Sequence, residues 1–203
     1  MNRSLRNAAL AVAAAALAGC ASMHESMGGR AGWTTLYDGK TLNGWTPVGD
    51  ANWRIEDGLI VADKGRGFIL APQQYKDFEM HVEFWADDEA NSGIYYRCTS
   101  ATDLTNATCY EANIYDKRTT PFGTGAIVDV AETTPRPLAA GRWNTYDLTV
   151  KGDHMVLVMN GVKTADGHDA KHPAAGYLGL QRFDGLVKDK GTIKFRKVEI
   201  KPL

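Results

Sequence analysis

Across residues 77–85 apolar and polar side chains alternate without a break, Phe78, Met80, Val82 and Phe84 on one parity and Glu79, His81, Glu83 and Trp85 on the other. That spacing is the signature of a strand with one face packed and one face polar. Residues 143–151 repeat it, with Tyr146, Leu148 and Val150 against Thr145, Asp147 and Thr149, and lead through Lys151-Gly152-Asp153 into Met155, Leu157 and Met159 before Asn160-Gly161. Gly, Asn and Asp accept the positive φ of tight hairpin turns, so both connections read as hairpins. In the last segment Ile193 and Phe195 sit on one parity and Val198 and Ile200 on the other, which predicts a β-bulge near Arg196-Lys197. Further strands are predicted at 53–61, 67–71, 93–99, 109–116, 124–130 and 176–183. From residue 33 onward no stretch carries helical spacing, so the fold class is all-β, and this many short strands in one domain favours two large sheets packed face to face.

The N-terminus follows a different pattern. Arg3 and Arg6 precede an apolar run over residues 8–18, and 11 residues are too few to span a bilayer, which takes about 20. The segment reads as a secretory signal over residues 1–19. Its end, Leu17-Ala18-Gly19-Cys20, resembles the bacterial lipobox, in which Cys20 would be acylated and become the mature N-terminus. Residues 20–32 then form a small, polar tether, and residues 33–203 the domain. Ala21-Ser22 lacks the Asp of inner-membrane retention, so the expectation is a cell-envelope protein held by its lipid, on the outer membrane, facing the periplasm or the surface.

Removing 19 of 203 residues leaves 184 and takes away two cations, moving the formal charge from −1 to −3. No basic cluster remains to meet phosphates, so nucleic acid is not an expected partner. Export leaves Cys98 and Cys109 as an even pair in an oxidising compartment. A disulfide closing a short loop, worth ~3 kcal/mol, is the expectation, and two buried free thiols are the other reading. Two cysteines are too few for a structural zinc site, and no metal ligand is assigned.

Several segments in order carry a family resemblance: Leu36-Tyr37-Asp38-Gly39-Lys40-Thr41-Leu42-Asn43-Gly44-Trp45, Trp53 with Asp57-Gly58, Tyr75-Lys76-Asp77-Phe78-Glu79, Asn91-Ser92-Gly93-Ile94 with Arg97, 110–116, Gly141-Arg142-Trp143-Asn144, Asn160-Gly161 and Gly179-Leu180-Gln181. The chain from Trp33 onward resembles the 3-keto-disaccharide hydrolase domain family. That resemblance implies a jelly-roll sandwich similar to concanavalin A-like lectins and glucanases, with a concave sheet that meets a saccharide. Three departures stand out: Asn113 where the family usually has Gln, Arg182-Phe183-Asp184 where a His usually follows closely, and Arg196-Lys197-Val198 in place of Arg-Asn-Ile.

Parity assembles the candidate site. Glu111 and Asn113 share one face of their strand, and Tyr95 and Arg97 share a face of theirs, so neighbouring strands would join them in one polar patch. Carboxylate, amide, guanidinium and ring together suit a sugar, whose hydroxyls need donors and acceptors and whose C–H face stacks on aromatics. Gln181, Asn91 and Trp85 complete the expected binding set. Trp45, Trp53 and Trp143 are expected in the core, His154, His168 and His172 at the surface, and Asp87-Asp88-Glu89 in a solvated turn.

A 3-keto substrate would direct the chemistry. The ketone acidifies the C2 proton, and the C1 glycosidic oxygen, β to the resulting carbanion, leaves by elimination; water then adds. Such a route needs a base, a cation or donor at the enolate oxygen and an acid at the leaving oxygen. Glu111 is the expected base, Arg97 the clamp, and Asp116 or Glu83 the acid; a divalent cation is left open. The alternative function is a non-catalytic carbohydrate-binding module of the same fold.

Overall fold

The alternating segments pair into antiparallel strands, described over residues 30–203 by a computed structural model, with no helix among the described residues. The expected signal segment, the Cys20 lipid site and the tether up to residue 29 lie outside the described residues. In chain order the strands are β1 (Thr34–Thr35), β2 (Thr46–Gly49), β3 (Arg54–Glu56), β4 (Leu59–Ala62), β5 (Gly67–Leu70), β6 (Phe78–Ala86), β7 (Asn91–Cys98), β8 (Tyr110–Ile114), β9 (Trp143–Lys151), β10 (His154–Met159), β11 (Val162–His168), β12 (Tyr177–Phe183) and β13 (Ile193–Pro202). The larger sheet runs β11-β10-β9-β6-β13-β4-β3, with β1 beside β13, and the smaller runs β2-β5-β12-β7-β8.

The sheets face each other across one hydrophobic core. The larger sheet supplies Phe78, Met80, Val82, Phe84, Tyr146, Leu148, Phe195 and Val198, and the smaller supplies Ile69, Ile94, Tyr96, Tyr110, Ile114, Leu178 and Leu180. Burial alternates residue by residue along β6, as its pattern predicts. The register of β13 against β6 shifts between Phe195 and Lys197, so Ile193, Phe195, Val198 and Ile200 all reach the core despite their change of parity. This is the expected bulge.

Four local readings change. Residues 53–61 break into a β3–β4 hairpin because Asp57 and Gly58 both adopt positive φ, 51° and 75°. Residues 124–130 form turns instead of a strand, since Gly125 and Asp129 are at φ 87° and 60°, leaving Ile127 with only isolated bridges to Ala112 and Ala131. The segment after Asn160-Gly161 is a full edge strand, β11, whose polar, largely exposed sequence gives little periodic signal. Trp143 shares the parity of Thr145, so it lies on the outer face of the larger sheet, with the Arg196 guanidinium 4.3 Å from its ring centroid, and not in the core.

The two ends of the smaller sheet are closed by buried guanidinium groups. Arg97, with its side chain fully buried, donates from Nε to Lys76 O at 2.7 Å, from Nη1 to Gly152 O at 2.6 Å and from Nη2 to Asp77 Oδ1 at 2.8 Å. Those partners belong to the entry of β6 and the β9–β10 turn, so the side chain ties the smaller sheet to the larger. At the other end of β12, Arg182 donates to the carbonyls of Asp63, Gly65, Lys190 and Gly191 and to Asp184 Oδ1 at 2.8 Å. A buried cation is tolerable only when its donors are met, and here the acceptors are connections crossing between the sheets.

Replacing Arg182 with Leu removes the donor from that set of carbonyls and leaves Asp184 with only Arg66 and the Asp189 amide, and is expected to cost about 3–5 kcal/mol. Urea unfolding should show the loss as a lower midpoint, with the exposed Arg196→Leu as the control expected to change stability by under ~1 kcal/mol. A loss at Arg182 no larger than the control would show that the end closure is not structural.

Candidate functional site

Register on the smaller sheet sets two rows of outward-facing residues. In the first, Val48 pairs with Phe68, Phe68 with Gln181, Gln181 with Gly93 and Gly93 with Asn113. In the second, Thr46 pairs with Leu70, Leu70 with Gly179, Gly179 with Tyr95 and Tyr95 with Glu111. Each row is apolar toward β2 and β5 and polar toward β7 and β8. Phe68 packs edge-on to Tyr95 with centroids 4.9 Å apart and tilted against Phe183 at 5.5 Å.

The polar half is a connected group around Glu111. Asn106 donates from Nδ2 to Glu111 Oε2 at 2.9 Å, and Tyr95 stands directly opposite Glu111 in the β7–β8 register. Gln181 Nε2 donates to the Tyr95 oxygen at 3.0 Å, which leaves the phenolic proton free for another acceptor. Gly93 makes the arrangement possible: a Cβ there would sit 2.8 Å from Glu111 Oε1 and 3.1 Å from its Cγ. The carboxyl thus lies over a strand position with no side chain. Asn113 donates to Phe122 O at 2.6 Å, while its own Oδ1 and Gln181 Oε1 are buried with no partner. Two acceptors beside the carboxyl are thus left without a donor from the protein.

Two loops cover this face. Residues 99–109 are closed by the Cys98–Cys109 disulfide, which is present as expected, and lay Leu104 and Ala101 over Phe68, Leu70 and Tyr95. Residues 115–131 contribute Arg118 and Asp129, whose charges both reach Glu111. Glu111 is 3% exposed. Burial pushes its carboxyl up from the ordinary value, and Asp129 adds to this; Asn106, Tyr95 and Arg118 pull it back down. Burial, with the Glu111 charge behind it, pushes the Tyr95 phenol far up, so the hydroxyl keeps its proton as a donor.

Of the expected site residues, Glu111, Tyr95, Asn113 and Gln181 come together. Asn91 reaches the same face beside Phe183, but its amide donates to Asp184 O at 2.7 Å. Arg97 does not join them: its φ of 50° and the register shift between Tyr177 and Gly179 turn its side chain away from the face that Tyr95 occupies. Asp116 does not either, because its carboxylate fastens a loop, accepting from Thr124 Oγ1 and the amides of Ala139 and Ala140. Glu83 and Trp85 lie on the outer face of the larger sheet, across the core from Glu111. There Glu83 pairs with Arg196 beside His81, and Lys194 Nζ lies 5.1 Å from the Trp85 ring centroid. His172, expected at the surface, is buried edge-on to Tyr110 with Nε2 unpartnered, behind β8 and away from Glu111. Asp87 is a turn cap, accepting from the Glu89 and Thr192 amides, with Glu89 paired to Lys117. Among the described residues no three His, Cys, Asp or Glu side chains gather as a metal site.

Asn106, Arg118 and Asp129 were not legible beforehand. They sit in loops, where no periodicity assigns a face, and only their proximity to Glu111 marks them.

Two antiparallel sheets packed face to face, with a loop-covered carboxyl on one outer face, belong to the class of lectin- and glycosidase-like β-sandwiches. The chain belongs to the family described as 3-keto-alpha-glucoside-1,2-lyase-like domain, whose profile matches residues 32–201. A 3-keto-disaccharide hydrolase from Bacteroides thetaiotaomicron is 33% identical over 84 residues, a segment covering 35% of this chain and 29% of that protein. Among solved structures, a Parabacteroides distasonis protein provisionally classed as a glycosyl hydrolase superposes with a TM-score of 0.70 at 20% identity, over 85% of this chain and 94% of its own. The carbohydrate-binding module CBM66 from Bacillus subtilis does so at 0.59 and 21%, over 78% and 95%.

The raised carboxyl has a consequence for stability. The folded chain holds the Glu111 proton at pH values where the unfolded chain, with a pKa near 4.5, has lost it. Stability therefore falls as pH rises from that value through the folded pKa. Glu111→Gln removes the dependence and is expected to unfold at a higher temperature than the parent at pH 7, by about 2–4 °C per kcal/mol regained, with the gap closing near pH 4. Calorimetry at the two pH values reads this directly; a variant less stable at pH 7 would mean that the carboxylate is net stabilising.

Proposed function

We propose that the chain is an exported lipoprotein that cleaves glycosidic bonds of 3-keto-disaccharides or 3-keto-glycosides by elimination and hydration. The observation that carries this reading is the buried Glu111 group on the outer face of the smaller sheet, with Tyr95, Gln181, Asn106 and Arg118 around it. In the reaction Glu111 takes the C2 proton, and the electron pair passes into the enolate of the 3-ketone. The C1–O bond then breaks as the leaving oxygen gains a proton, and water adds at C1 while C2 regains its proton. Family membership and the Bacteroides relative support the substrate class.

The roles first given to Arg97 and Asp116 pass to other residues. Arg118 supplies the cation for the enolate oxygen, and the Tyr95 phenol, kept protonated by burial, supplies the proton donor. The orphan oxygens of Gln181 and Asn113 accept from sugar hydroxyls. Cys20 carries the lipid, which would hold the protein to the membrane in the cell envelope, on the outer membrane.

The reading as a non-catalytic carbohydrate-binding module draws on one observation: neither of the other two carboxylates first considered, Asp116 and Glu83, joins Glu111. Turnover separates the two. With purified protein and a 3-keto-disaccharide, Glu111→Gln is expected to lower kcat by about 10²–10⁴-fold, as loss of a general base does. Product formation unchanged in the variant would remove Glu111 as the base. Saccharide binding by calorimetry with no product from the parent protein would make the chain a binding module.

A further inference from the structure

A second feature on the outer side of the smaller sheet lies at the opposite end of the Glu111 row. Where β2 begins and β5 ends, a cavity of about 210 Å³ opens between Thr46, Leu70, Gln73, Gln74, Ala101 and Tyr177. Ligand pockets for drug-sized molecules run to roughly 300–1,000 Å³, so this one has room for a single small ring. None of its lining residues carries a charge. Leu70 and Ala101 give an apolar wall, Tyr177 a half-buried ring, and Gln73 and Gln74 exposed amides at the rim. Among the described residues the Thr46, Gln73, Gln74 and Tyr177 side chains make no hydrogen bond within the protein, so their donors and acceptors face the cavity or solvent.

The cavity is set apart from Glu111 and yet shares a wall with it. Leu70 stands in the same cross-strand row as Tyr95 and Glu111, and Leu104 packs above Gly179 between them. The disulfide-closed loop forms the partition: Ala101 lines the cavity, and Asn106, five residues on, donates to the Glu111 carboxyl.

We propose that this cavity is a second saccharide site, holding one uncharged pyranose unit apart from the unit at Glu111. The chemistry selects that ligand class. A ring face stacks on Tyr177 and the aliphatic wall, amides and a hydroxyl pair with sugar hydroxyls, and the lack of any cation leaves a sugar acid or sugar phosphate without a counter-charge. The site takes its ligand class from the reading above but does not depend on turnover.

Methyl α-D-glucopyranoside, titrated into the purified protein and followed by ligand-observed NMR and calorimetry, is the probe, with glucuronate as the charged control. The parent protein is expected to bind the glucoside and to prefer it to glucuronate. Tyr177→Ala is expected to weaken binding about five- to tenfold. The exposed pair Gln73→Ala and Gln74→Ala, which leaves the packed face untouched, is expected to weaken it by a smaller factor, and Arg196→Leu, on the outer face of the larger sheet, to leave it unchanged. No binding by the parent, binding that survives both the Tyr177 and the paired Gln variants, binding lost in Arg196→Leu, or equal affinity for glucuronate would overturn the proposal. Glucoside binding without turnover of a 3-keto-disaccharide would sink the hydrolase reading alone, and turnover without glucoside binding would sink this site alone.

Discussion

The sandwich depends on two guanidinium groups that never reach water. A two-sheet fold has open ends, where strands turn back and backbone carbonyls would otherwise be buried without partners. Arg182 at one end of β12 and Arg97 near the other answer this, each spreading its donors over carbonyls from several connections. A hydrophobic plug would exclude water equally well but would leave those carbonyls unpaired, at about 1–3 kcal/mol apiece. The charge itself costs little extra because a carboxylate stands at each end, Asp77 at Arg97 and Asp184 at Arg182. With its ends fixed in this way, the smaller sheet can present its outer face as a rigid platform.

That platform differs from the outer face of the larger sheet, although both are polar by sequence pattern. The larger sheet's face is a mesh of short-range pairs: His81 Nδ1 lies 2.7 Å from Asp147, Glu83 meets Arg196, and cations lie over Trp85 and Trp143. Most of its groups pair with one another, and Glu199 Oε2, which accepts no hydrogen bond, has the Lys197 ammonium 3.3 Å away. On the smaller sheet two glycines, Gly93 and Gly179, interrupt the outward rows, and the carboxyl of Glu111 settles into the space above the first. Loops then remove water from a group that retains unpaired acceptors, and this combination of burial and incomplete pairing sets it apart from a solvated face.

Much of the fold could be read from period two alone. The strand positions, the β13 bulge and the inward faces of β6 and β9 follow from parity, because each alternating run had one apolar face to bury. Parity also placed Glu111, Asn113 and Tyr95 on a shared face, which Gln181 joins through the register of β12 on β7. It failed for Arg97 because one residue in the left-handed region reverses every face assignment from that point, and Arg is not a residue whose presence signals such a conformation. It failed differently for Glu83 and Trp85: alternation tells which side of a strand a residue takes, and not which of two sheets the strand will enter. Asp116 fell between these cases, a strand-end carboxylate whose acceptors are used by amides 23 and 24 residues away, a distance no local pattern reports.

The disulfide joins the ends of a loop whose base is already zipped by the Thr99 amide to Thr108 O and the Cys109 amide to Thr105 O. None of the arginine contacts that close the sandwich runs through this loop. A thiol reductant would therefore loosen the Asn106 clasp on Glu111 and the Ala101 wall while the framework beneath kept its shape. Reduction is thus expected to act on the loop over the outer face of the smaller sheet and to spare the arginine-tied framework beneath it.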